Sequence, residues 1–223
     1  MATVIKKVNL PDPAFACLSG EHFEKNSTFD TSSELTYILV QDEKVIGSTT
    51  GKTRYGNKTV KLNKKFFPEL KCGLFSKNVD VDIYYIKNHH SFGFSKGSRL
   101  NIFGSFPRNA PASQTFSCLG IDFMVEIRMA DPAKAYETFI VKTKTTYISD
   151  KSMRDFYINV GKSVLDEVCK NLSFKPGTPF PNPKTEKSLE FPETKELFTK
   201  FKTMYENTWK DFGYTAKVSI PRD

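Results

Sequence analysis

The stretch KNHHSFGFSKGSRLNIFGSF, Lys87 to Phe106, brings adjacent histidines, glycines and basic side chains together, the residue types of a metal-binding or phosphate-binding loop. The spacing argues against both. Neighbours in a strand point to opposite faces, so His89 and His90 are poorly placed to share a metal ion, and His22 is distant in sequence. Gly93, Gly97 and Gly104 form no GxGxxG ahead of a helix. The GKS at Gly161 to Ser163 has Phe156 where a phosphate-binding loop needs its first glycine. Asp80 and Asp82 share a strand face and could hold a divalent ion, but alternation with solvent produces the same pattern. GFSKG at Gly93 to Gly97 has the GxSxG spacing, but no strand-to-helix switch follows it, as the elbow of a catalytic serine needs. No catalytic, cofactor-binding or metal-ligating residue is therefore assigned, no cofactor is expected, and the chain reads as a non-enzyme.

What remains is charge. The chain carries a formal +8, and between Gly51 and Lys77 eight basic residues face only Glu69, so +7 sits in that segment. Such a patch suits an anionic membrane or a nucleic acid, each lysine near an acidic bilayer being worth about 1 kcal/mol. A solvated lysine-rich hairpin face is the plainer alternative. The basic–aromatic mixture in TRYGNKTVKLNKKFF fits single-stranded nucleic acid, and Phe66 and Phe67 beside Lys64 and Lys65 fit a loop resting in a membrane interface. The candidate contact residues are Lys58, Lys61, Lys64, Lys65, Phe66 and Phe67.

The elements that must position these residues are read from periodicity. Residues 1–33 are polar with Pro11 and Pro13 and are expected to be an irregular lead-in. From Leu35 a meander is expected: LTYILVQ, a DEK turn, VIGSTT, a TRYGN turn, then KTVKLN. VDVDIYYI places Val79, Val81, Ile83 and Tyr85 on one face and Asp80, Asp82 and Tyr84 on a wet one. The opening stretch then reads as an antiparallel strand pair turning at Lys96 and Gly97, its tip available to a partner. LGIDFMVEIRM is the clearest strand, burying Ile121, Phe123, Val125 and Ile127.

Beyond it, Asp131 is a good N-cap and Pro132 suits the first helical position. A long helix from the Ser149–Asp150 cap carries Met153, Phe156, Val160, Val164, Val168 and Leu172. The proline-rich KPGTPFPNPKTEK is a linker. A third helix sets Leu197, Phe201, Met204, Tyr205 and Trp209 on one side and stops at Gly213, before the strand YTAKVSIP. The fold class is α+β: strand-rich over 34–130, helical with a terminal strand over 131–223.

This succession resembles the SPFH (band-7, prohibitin-homology) domain, nearest the soluble bacterial branch called virion-core-like, over Leu35 to Pro221. LTYILVQDEKVIGSTTGKTRYGNKTVKLNKKFFPEL is similar to the family's opening hairpin and loop, with Pro68 in place. VDIYYIKNHHSFGFSKGSRLNIFGSF resembles the central strand pair, and GIDFMVEIRMADPAKAYETFI the strand running into a D-P turn and helix. SDKSMRDFYINVGKSVLDEV resembles the long helix, and FTKFKTMYENTWKDFGYTAKVSIP the last helix, glycine and strand. The resemblance implies a single domain over 34–223 that works as a scaffold, docking on an anionic membrane surface or a protein partner, with homo-oligomerisation as a further option. Against the family pattern, the sequence stops at Asp223 without a coiled coil and has no membrane anchor, which argues against large rings and tight attachment.

With no signal-peptide pattern, and with its four cysteines more than forty residues apart, the chain is expected to be cytoplasmic and at most peripheral to a membrane, its thiols reduced. Nucleic-acid binding through 51–77, or a structural role in a phage- or virus-type assembly, are the alternatives.

Overall fold

The computed structural model describes residues 4–5, 13–17, 23–29, 34–50, 52–53, 56–57, 60–73, 76–102, 116–174 and 186–220; at 4–5, 13, 29, 52–53, 56–57, 97–102, 116–120 and 173–174 it describes the backbone alone. The strands before the first helix are β1 (Val4–Ile5), β2 (Pro13–Cys17), β3 (Phe23–Glu24), β4 (Thr28–Phe29), β5 (Leu35–Gln41), β6 (Lys44–Thr50), β7 (Lys52–Thr53), β8 (Gly56–Asn57), β9 (Asn78–Val79), β10 (Asp82–Lys87), β11 (His89–Ile102) and β12 (Phe116–Met129). There follow α1 (Pro132–Tyr136), a π-helical turn (Glu137–Val141), β13 (Tyr147–Ser149), α2 (Asp150–Lys170), β14 (Ser173–Phe174), a 3-10 turn (Glu186–Glu190), α3 (Pro192–Lys210) and β15 (Tyr214–Ser219). The fold is α+β, strand-rich in its first half, then helical, then closed by a strand.

Two compact units share the chain. The first takes Met1–His89, Arg128–Met153 and Phe212–Tyr214; the second takes His90–Ile127, Arg154–Asp211 and Thr215–Asp223.

The first unit is built on a sheet ordered β13-β2-β10-β5-β6. Both its faces are covered, which is why β5 is buried from Leu35 to Val40 without alternation. On one face Leu35, Tyr37, Leu39, Ile83 and Tyr85 pack with Val60, Leu62, Phe67 and Leu70 of the segment after β8. On the other, Tyr84 meets Tyr136 edge-on at 4.9 Å and Phe15 meets Phe139 at 5.5 Å. The wider π-helical turn, closed by Lys142 N donating to Glu137 O at 3.0 Å, carries Phe139, whose ring also meets Tyr214. Asp131 caps α1 as expected, its carboxylate accepting from Lys134 N at 3.1 Å.

In the second unit the sheet order is β14-β11-β12-β15. Ile121, Phe123, Val125 and Ile127 are buried while Met124 is 41% exposed, the alternation expected of this strand. Phe123 stacks on Phe201 at 4.8 Å and Tyr157 meets Trp209 edge-on at 4.8 Å, so α2 and α3 share an aromatic core. Tyr205 donates its hydroxyl to Tyr157 O at 3.2 Å, and burial pushes its phenol well above the usual range.

Several expectations are corrected. Within the expected irregular lead-in, Pro13–Cys17 is a strand lying between β10 and β13, with Ala14, Phe15 and Ala16 fully buried. Three consecutive residues buried on both faces show no two-residue period. The expected third meander strand is not formed over its described residues: Lys61 makes only an isolated bridge to Thr28. Tyr84 lies inside rather than on a wet face, its ring meeting Tyr136 of α1. The expected turn at Lys96 and Gly97 is absent, β11 running on to Ile102. A tight hairpin needs two residues that accept positive φ; Asp42 (φ 51°) and Glu43 (φ 62°) supply them between β5 and β6, whereas a lysine before glycine is a weaker turn. Met204, placed on the apolar side of α3, is 38% exposed. The proline linker falls largely outside the described residues.

Candidate functional site

The basic segment sits on a loop whose backbone is pinned from within. Asn63 is its organiser: its side-chain oxygen accepts from Lys65 N at 3.1 Å, and its backbone oxygen accepts from Phe67 N at 2.9 Å. Its amide nitrogen donates to Asn26 Oδ1 at 2.8 Å. Leu62 N donates to Ser27 O at 2.9 Å, and Asn26 N to Leu62 O at 3.0 Å. Farther on, Lys71 N donates to Gln41 Oε1 at 2.8 Å, and Gln41 Nε2 reaches Lys71 O and Asp80 O.

This framework sorts the expected contact residues. Lys61, Lys64 and Lys65 are exposed, and among the described residues none of the three has an ion-pair partner. Lys58 lies outside the described residues. Phe67 is not a surface residue: it is 2% exposed, and a Cβ added at Gly47 would lie 2.8 Å from its ring. Phe66 is half-buried and packs against the same core. Two adjacent aromatics in a short loop are drawn under it because covering the sheet face is worth about 2–3 kcal/mol for a buried Phe. Lys71 is spoken for by an ion pair with Asp42 at 2.5 Å, both side chains well exposed.

The other sequence candidates separate. His89 is exposed, while His90 is buried edge-on against Tyr157 at 5.1 Å. Asp80 and Asp82 are exposed. Ser163 of the GKS donates to Asn159 O within α2, and Gly161 is small for packing reasons, since a Cβ there would meet Phe94 at 2.8 Å. Among the described residues no group of three or more His, Cys, Asp or Glu converges on one point.

A second feature was not legible in the sequence. Within the first unit a groove of about 490 Å³ is lined by Thr36, Thr50, Asn88, His89 and Arg128, with Met129, Ala130 and Pro132 as its apolar part. Thr36 and Thr50 are register partners on β5 and β6. Asn88, between β10 and β11, holds the corner: its N–H donates to Glu34 O at 2.7 Å, its carbonyl accepts from Met129 N at 2.9 Å, and its side-chain oxygen accepts from the Thr36 hydroxyl. Gly213 supports the far wall, its carbonyl accepting from Ala130 N and Asp131 N at 3.0 and 2.9 Å. Because the lining comes from separate segments, no local motif announces it.

Compared with known proteins, the chain matches no family model and no curated sequence. Among the described residues no helix is long and apolar enough to cross a membrane.

Proposed function

We propose that the chain is an SPFH-like scaffold module that acts by binding rather than catalysis, and that it docks peripherally on an anionic membrane surface through Lys61, Lys64 and Lys65. One observation carries this reading: three exposed cations stand on a loop held by Asn63 and by the buried Phe67. Three lysines near an acidic bilayer contribute about 3 kcal/mol at low salt, enough for reversible attachment and no more. With Phe67 inside and Phe66 half-buried, attraction is electrostatic and falls as salt screens it. The same placement counts against nucleic acid, which wants aromatic faces presented beside the cations for stacking. The resemblance in element order to the SPFH domain supports a scaffolding role.

Vesicle co-sedimentation separates the readings: acidic vesicles should bind at low ionic strength and neutral ones should not. Equal affinity for oligonucleotides in fluorescence anisotropy at the same salt would shift the assignment to nucleic acid. Retention of the chain by neither, with capture by a purified protein partner through the same lysines, would replace the lipid surface with that partner.

A further inference from the structure

We propose that the docking surface extends past the lysine loop to a second segment: Lys77, immediately before β9, is a further contact residue for the anionic membrane, and a clasp between Asn26 and Asn63 sets its place beside the loop. This rests on the membrane reading above and names the rest of the surface that reading uses. Lys77 is exposed, and among the described residues it has no ion-pair partner.

The backbone brings Lys77 to the loop. β3 and β9 pair antiparallel, Phe23 with Val79 and Glu24 with Asn78. Phe23 and Val79 are buried in the same core as Leu62, Phe67 and Leu70, so this short ribbon and the loop cover one face of the sheet together. Between them runs the turn Lys25 to Ser27, whose successive amides bond one to each segment: Lys25 N donates to Lys77 O at 2.9 Å, and Asn26 N to Leu62 O at 3.0 Å. Lys77 and the lysines that follow Val60 therefore flank a single turn.

That turn is fastened by side chains as well. Asn26 has a left-handed φ of 64°, which asparagine tolerates better than most residues, and its Oδ1 accepts from Asn63 Nδ2 at 2.8 Å. The Oδ1 of the same Asn63 accepts from Lys65 N at 3.1 Å. One amide thus orders the stretch that carries Lys64 and Lys65 and ties it to the turn next to Lys77. Lys25 supports this frame rather than reaching outward: it is half-buried, and its Nζ donates to Gly73 O at 2.7 Å. The exposed acids of these segments, Glu24, Glu69 and Asp80, are outnumbered by Lys61, Lys64, Lys65 and Lys77, so the surface is cationic. A flat bilayer engages charges that share one surface, because its potential falls away within a Debye length, about 10 Å. Lys144 is exposed on the loop after the π-helical turn, which covers the other face of the sheet through Phe139 and Phe15.

The test is co-sedimentation of the intact chain with vesicles of phosphatidylserine and phosphatidylcholine at low ionic strength. Lys77→Glu and Lys144→Glu lower the net charge equally, so their difference reads the surface rather than the total charge. Lys77→Glu should weaken binding about fivefold or more, the contribution of one lysine near an acidic bilayer, and Lys144→Glu less than about twofold. Asn26→Gly keeps the left-handed backbone and removes only the amide; it should weaken binding about twofold or more with the fold intact by circular dichroism, and should have no further effect once Lys64→Glu and Lys65→Glu are present. Absence of wild-type binding overturns the membrane reading and this proposal with it. Wild-type binding that Lys77→Glu leaves unchanged, or that Lys144→Glu weakens as much, overturns the second segment while the loop reading stands. An Asn26→Gly effect that persists undiminished without Lys64 and Lys65 overturns the clasp as their positioning device.

Discussion

The lysine loop and the groove are both polar surfaces of the first unit, yet they are built in opposite ways. In the loop, charges adjacent in sequence project into solvent and the specificity lies beneath them, in Phe67 and Asn63. In the groove, polar groups distant in sequence converge because β5, β6, the Asn88 corner and the start of α1 meet. A flexible ammonium group in water recognises charge with little geometry, whereas a hydroxyl and an amide held in place, as Thr36 and Asn88 are, recognise a shape. The first should therefore be sensitive to salt and the second to single substitutions.

The largest effect that would break this distinction is at Phe67. Phe67→Ala removes the anchor beneath the loop and should cost about 3–5 kcal/mol in urea unfolding, as for large core aromatics. A cost near zero would mean the loop is not held by its aromatic residue. Next is Gly213→Ala. At φ +83° with a Cβ 2.5 Å from Asp131 O, any side chain strains the backbone, for about 2 kcal/mol or more, and displaces the groove wall. Thermal unfolding measures the cost.

Alkaline pH probes the sheet between the two surfaces. Burial pushes the Tyr85 phenol from 10.0 up to about 12, and burial together with Cys17 pushes Tyr84 higher still. The folded state keeps protons that the unfolded state releases, so this stability is full below about pH 10 and is lost as pH rises toward and through about 12. A phenolate absorbance titration should show late-ionising tyrosines that titrate together with unfolding; complete ionisation near pH 10 in the folded chain would contradict their burial. The smallest stability effect is expected from Lys64→Glu with Lys65→Glu, within about 0.5 kcal/mol because both side chains are exposed.

How much of this was legible depends on how local each signal is. The alternation of Ile121 to Ile127, the Asp131–Pro132 start of α1, the apolar face of α2 and the stop at Gly213 follow from neighbouring residues, and the structure has them. The strand at Pro13–Cys17 was hidden because burial on both faces erases the two-residue period. The unbroken β11 was hidden because a glycine is compatible with either a turn or a strand. Phe66 and Phe67 read as a surface pair because their sequence neighbours are lysines, while the sheet face that draws Phe67 inward comes from β5 and β10. The groove had no signature at all, since Thr36, Thr50, Asn88 and Arg128 become neighbours only through strand pairing.

The most direct test of the docking account is co-sedimentation of the wild type and the Lys64→Glu, Lys65→Glu variant with acidic vesicles across a salt series. The wild type should bind at low ionic strength and release as salt approaches physiological levels, and the double reversal, removing about 2 kcal/mol of attraction, should weaken low-salt binding by a factor of about 30 or more. Wild-type binding that ignores salt, or a double reversal that binds as well as the wild type, would contradict it.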